Sequence, residues 1–115
     1  MKGKGFIVIQ EEDDLIRDLL ERWLGEAGYS LRADGHEAPC LVIANVPSPR
    51  GAQALIQSLQ AVYAAPILLL SGRFRRGLAG SAEAARRLGV KKVLPKPFTR
   101  KELLSAVDAS LEDEE

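Results

Sequence analysis

The chain has 115 residues, 46% apolar and 28% charged, and its 16 basic and 16 acidic side chains leave a formal net charge of zero. That suits one globular domain, residues 1–115, with a single core, and the lone Cys40 excludes an internal disulfide. No run reaches the roughly 20 apolar residues of a membrane span, and the apolar run after "MKGKG" is too short for a signal sequence, so the cytoplasm is the expected compartment.

Residues 6–9, FIVI, form a continuous apolar run, the pattern of a strand buried on both faces. After QEEDD come Leu15, Ile16, Leu19, Leu20, Trp23, Leu24 and Ala27 at helical spacing, with Asp13 or Asp14 as N-cap and Gly28 as the stop. Trp23 lies on that stripe and is read as core. Residues 29–33, YSLRA, alternate as a half-buried second strand does. A third strand, residues 41–44, has Cys40 beside it as a buried free thiol and breaks at Asn45 into a proline-rich loop. Ala52, Leu55, Ile56, Leu59, Val62 and Tyr63 mark a second helix, and residues 66–70, PILLL, a fourth strand ending at Ser71. An arginine-rich loop leads to a short helix around residues 81–88, then a fifth strand, VKKVL, ended by PKPF. Thr99 and Glu102 have the spacing of a capping box, opening a last helix with Leu103, Leu104, Val107 and Leu111 on its apolar face. The acidic residues from 112 onward are expected to fray into solvent.

Alternating strands and helices with short connections specify a parallel, doubly wound α/β sheet. Pro95 cannot donate to a ladder, which places the fifth strand at an edge, as the flavodoxin-like order 2-1-3-4-5 requires. Such sheets carry their chemistry past the carboxyl ends of the strands. Those positions hold Glu11 and Glu12, Asn45, Ser71, and Lys96 followed by Pro97.

The segments IQEEDDLIR, ADGHEA, LVIANVPSP, ILLLSG and LPKPF, in that order, resemble the receiver domain of bacterial two-component response regulators over nearly the whole chain. In that family an acidic pair and a central aspartate hold a divalent cation through hard oxygen ligands. The aspartate attacks a phosphohistidine, with the metal and a lysine neutralising the developing charge. A hydroxyl and an aromatic side chain then read the new phosphate.

The resemblance puts Glu11 and Glu12 at the acidic pair, Ser71 at the hydroxyl, Lys96 at the lysine, Pro97 at a cis peptide bond, and Val93 at the switch aromatic. Asn45 falls at the phosphoacceptor. A neutral amide is not nucleophilic on phosphorus, so no acyl phosphate forms there. The chain therefore resembles a degenerate, or pseudo-receiver, member: not an enzyme, with no resident metal cofactor and at most weak residual magnesium at Glu11 and Glu12. A purely structural role for Lys96, paired with Glu11 or Glu12, fits the sequence equally well. ADGHEA leaves room for about one turn of the family's second helix, so that helix is expected to be shortened or missing, leaving a sheet face bare or covered by a partner or a second copy. His36 has no ligand at metal spacing and is read as a surface loop residue.

Charge is unevenly distributed. Residues 11–37 hold nine acids and three bases, whereas residues 73–101 hold ten bases and one acid. Arg73, Arg75, Arg76, Arg86, Arg87, Lys91, Lys92, Arg100 and Lys101 are the candidate partner face. Such a face calls for an acidic protein or self-association as a homodimer. The expected role is a phosphorylation-independent interaction or dimerisation module in a two-component system or phosphorelay. The alternative is a receiver-derived binder of an anionic ligand, a nucleotide or nucleic acid, through residues 73–101. With one interleaved aromatic, Phe74, nucleic acid is the poorer fit.

Overall fold

The structure, a computed structural model, describes residues 6–31, 39–46, 51–71 and 85–111. Among these, four strands and three helices alternate: β1 (Phe6–Gln10), α1 (Asp14–Glu26), β2 (Pro39–Val46), α2 (Ala52–Val62), β3 (Ile67–Ser71), β4 (Lys92–Pro95) and α3 (Arg100–Leu111). Residues 85–88 are also helical. The sheet is parallel throughout, in the order β1-β2-β3-β4. Because the strands alternate their side chains between faces, each contributes to two cores. Ile7, Leu41, Ile43, Leu68, Leu70 and Leu94 pack with Leu20 and Leu24 of α1 and Leu103 and Val107 of α3. Val42, Ala44, Ile67, Leu69 and Val93 pack with Ile56 and Leu59 of α2. Each of the Leu, Ile and Val side chains contributes about 1.5–3 kcal/mol on burial.

Local signals set the boundaries. Asp13 is the N-cap of α1, its Oδ1 accepting from the Leu15 and Ile16 amides at 2.9 and 3.3 Å. Gly28, at φ 97°, takes the left-handed conformation past the end of that helix, where a side chain would be strained. Thr99 and Glu102 form the expected reciprocal box: Thr99 N–H donates to Glu102 Oε1 at 2.9 Å, and Glu102 N–H to Thr99 Oγ1 at 3.1 Å. Among the described residues β4 lies at the edge of the sheet, as Pro95 demands.

Several expectations need correction. Asn45 is not past the end of its strand: β2 runs on to Val46, with Asn45 opposite Leu70 and Val46 opposite Ser71. The neighbouring strand pairs through both positions, so the ladder outlasts the apolar run. Leu15 and Val62 are 80% and 71% exposed. Leu15 lies about half a turn around α1 from the buried Leu20 and Leu24, and Val62 is the last residue of α2, so a place in an apolar run does not by itself guarantee a contact. Trp23 packs on the core but is half-buried, as is Cys40, whose thiol burial pushes upward in pKa. Four strands, not five, are present among the described residues, in a sheet that begins at β1. Beyond β1, the Ile7 N–H donates to the Ser30 carbonyl at 2.9 Å, but residues 29–31 of the expected second strand are not in a strand, and residues 32 and 33 lie outside the described residues. So do ADGHEA with His36, the loop after Val46, Arg73, Arg75, Arg76, the first half of the helix around 81–88, and residues 112–115. Among the described residues no helix is long and apolar enough to cross a membrane.

Candidate functional site

Strand alternation carries polar residues onto one line at the carboxyl edge. Glu11 follows Ile7 and Ile9, Asn45 follows Leu41 and Ile43, and Lys96 follows Leu94, all in step with the face that α1 and α3 cover. Ser71 is out of step, in phase with Leu69 and Ile67.

Glu11 is the most constrained of them. It is buried, and its Oε2 accepts from the Asp13 N–H at 3.1 Å. Its carbonyl accepts from Arg17 Nη1 at 2.9 Å, and Arg17 also pairs with Asp14 in the first turn of α1. The remaining oxygen, Oε1, is buried without a hydrogen-bond partner and lies 4.0 Å from Lys96 Nζ. Glu12, the other half of the acidic pair, is exposed. Asn45 is half-buried, and its Oδ1 is also buried without a hydrogen-bond partner. Ser71 is fully buried at the end of β3, its carbonyl accepting from the Lys96 N–H at 2.9 Å. That bond prolongs the β3–β4 ladder by one residue and aims Lys96 off the strand end. The Lys96–Pro97 peptide bond is cis. Val93 sits in the core beneath α2, only 2% exposed, so the switch position is filled by core packing.

The structure thus brings together Glu11 and Lys96, with Ser71 held to Lys96 through the backbone. It does not bring Glu12 or Val93 into contact with them. Arg17, which holds the Glu11 carbonyl, escapes sequence reasoning, and Asp13, expected only as a helix cap, also holds the Glu11 side chain through its amide. Their signal is weak, since an acidic cap and an arginine one turn later occur in many surface helices.

Two orphaned oxygens, Glu11 Oε1 and Asn45 Oδ1, are the hard donors a cation would take. One of them is neutral, the other faces an ammonium group, and Glu11 Oε2 is committed to a backbone amide. Among the described residues no group of three or more His, Cys, Asp or Glu could hold a metal ion. This donor set does not fit a resident divalent cation. Chemically, the site pairs a buried carboxylate with a lysine, and the amide of Asn45 is not a nucleophile toward phosphorus.

On the described face of residues 85–101, Arg86, Arg87, Lys91, Lys92, Arg100 and Lys101 are exposed. Arg100 reaches Glu26 of α1 at 3.4 Å and is in part spent on the fold.

No family model matches the chain. The transcriptional regulatory protein GltR of Pseudomonas aeruginosa is 34% identical over an alignment of 123 positions that covers 91% of this chain and 48% of that protein. The chain therefore spans about half the length of that curated relative. Among solved structures, a response regulator receiver protein from Burkholderia phymatum superposes with a TM-score of 0.68 at 23% identity, covering 94% of this chain and 95% of that one. The signal receiver domain of a signal transduction histidine kinase from Syntrophus aciditrophicus gives 0.68 at 24% identity, covering 95% and 91%. An orphan response regulator of H. pylori gives 0.68 at 15% identity, covering 96% and 99%. The chain has the fold of response regulator receiver domains.

Proposed function

We propose that this chain is a receiver-like domain of two-component signalling that has lost its phosphoacceptor and acts without phosphorylation, as a protein-interaction or dimerisation module. The observation that carries this reading is Asn45. In a receiver fold, the polar residue near the carboxyl end of the central strand is where phosphoryl chemistry would occur, and here it is an amide with no nucleophilic oxygen. The Lys96–Glu11 pair supports it further, because the lysine that would neutralise a phosphoryl group faces a buried carboxylate. The regulatory relative GltR favours a signalling role over a free-standing catalyst, and we assign no enzymatic activity. We assign no resident cofactor, and magnesium at Glu11 and Glu12 would be weak.

The sheet would be completed beyond β1 by residues 29–33, giving five strands in the order 2-1-3-4-5; the Ile7–Ser30 bond is the observation in favour. With residues 73–84 added, the basic face would bind an acidic protein or a second copy of the chain. Intact-mass spectrometry after incubation with magnesium and acetyl phosphate tests the core of the proposal: no adduct should form on the native chain.

A further inference from the structure

We propose that a second copy of this chain docks on the outward face of α2, the two helices packing antiparallel across a twofold axis near Ser58. The inference rests on the dimerisation branch of the proposed function and names its surface. It draws on neither Asn45 nor the basic residues.

Two observations converge on it. The first is charge. Residues 51–71 contain no charged side chain, in a chain of which 28% is charged. The other described helices present charge to solvent: Asp14, Asp18 and Glu21 on α1, Arg86 and Arg87 before β4, and Lys101 on α3. In a twofold contact a surface meets itself, so a face of one sign is opposed by its own charge. The mainly acidic α1 and the basic residues of 85–101 meet that penalty, whereas α2 does not. An acidic or basic partner finds nothing to pair with on α2. A neutral surface matches it, and a second copy supplies one.

The second observation is the layout of the helix. Ala52, Ile56 and Leu59 are buried against the sheet. At about 3.6 residues per turn, Ala54, Ser58 and Ala61 lie on the opposite side, and all three are exposed. Gln57 and Gln60 lie on one flank of that face, Leu55 and Val62 on the other. Leu55 is half-buried and Val62 is 71% exposed. An antiparallel twofold pair lays each flank against the same flank of the second copy. With the axis near Ser58, Val62 meets Leu55 of the second copy and is covered, and Gln57 meets Gln60. Gln60 Nε2 donates to the Gly89 carbonyl at 3.3 Å, which leaves its side-chain oxygen to accept from Gln57 of the second copy. One helix pair covers less than the roughly 800 Å² per partner of a stable dimer. The contact is therefore weak, with a Kd on the order of 100 μM.

Sedimentation velocity of the full chain tests this. The sedimentation coefficient should rise with concentration between about 10 μM and about 1 mM. It should rise equally at high salt, because no charge pair holds the contact. Ser58→Glu and Ser58→Lys, at an exposed position, should each weaken association at least about tenfold by setting like charges at the axis. An equimolar mixture of the two should restore it, since opposite charges then meet, and that recovery also shows that both variants are folded. A chain that stays monomeric throughout would overturn the α2 contact and leave the acidic-partner reading standing. Association that high salt abolishes, or that Lys91→Glu with Lys92→Glu abolishes while the Ser58 variants leave it intact, would overturn the contact by assigning the dimer to the basic face. Loss in both Ser58 variants without recovery in the mixture would overturn the antiparallel pairing.

Discussion

Lys96 Nζ lies 4.0 Å from Glu11 Oε1, although their strands, β4 and β1, are separated by β2 and β3. Strands are spaced about 4.8 Å apart, so the pair bridges roughly 14 Å of sheet edge with two side chains. It passes over the ends of the strands that carry Asn45 and Ser71. Glu11 contributes a side chain only 3% exposed, and Lys96 one 31% exposed, so burial is one-sided. The lysine can turn to water if the pair breaks; the carboxylate cannot.

That asymmetry gives the first prediction. Lys96→Met leaves Glu11 Oε1 buried without a counter-charge and should cost about 1–3 kcal/mol. Glu11→Gln frees a lysine that can hydrate and should cost less. Urea unfolding of the two variants measures both, and equal costs would refute the one-sided account.

Asn45→Asp restores a carboxylate nucleophile but adds a second acid near buried Glu11. Without metal the variant should be less stable than the native chain, and magnesium should raise its melting temperature more than that of the parent. Phosphorylation by acetyl phosphate should be partial at best, because Glu11 and Glu12 are each a methylene longer than the aspartates of the resembling family. Full, rapid labelling would show that this extra length is harmless.

The Tyr29 hydroxyl donates to Asp108, tying the segment after α1 to α3. Burial, and then the bonded, negatively charged Asp108, push the Tyr29 phenol well above its usual pKa. The folded state therefore holds this proton more tightly than the unfolded chain does. The resulting stability is complete below about pH 10, the ordinary tyrosine value, and is lost as pH rises beyond it. Tyr29→Phe should cost about 1 kcal/mol at neutral pH, and its stability should fall less steeply above pH 10. Thermal melts of both proteins across that window provide the comparison.

The capping box offers a smaller, local effect. Thr99→Ala removes the acceptor for the Glu102 amide and should lower stability by about 1 kcal/mol. Circular dichroism in denaturant would detect it, and no change would mean that tertiary packing alone holds the start of α3.

Much of this fold is legible because local rules and tertiary demands agree. Residues 6–9 and 66–70 are apolar at every position, and a strand buried on both faces needs nothing more. Asp13, Gly28 and the Thr99–Glu102 box end their helices through bonds or φ angles that particular residue types supply. Leu15 and Val62 are misleading, because an apolar run at helical spacing also takes in positions off the buried face: Leu15 lies about half a turn around α1 from Leu20 and Leu24. The end of β2 is hidden for a related reason: Asn45 looks like a break, but its backbone still has a partner in Leu70. At the site, residue types reveal which groups face the carboxyl edge. The reach of Lys96 to Glu11 across two strands, and the two bonds that clamp Glu11, depend on register and side-chain path, which no single segment encodes.

The most direct measurement is the intact mass of the native chain after incubation with magnesium and acetyl phosphate, beside the Asn45→Asp variant. The account predicts an unchanged mass for the native chain and a partial phosphoryl adduct on the variant. An adduct on the native chain, mapped to any residue, would contradict it and identify a working phospho-switch where Asn45 leaves none.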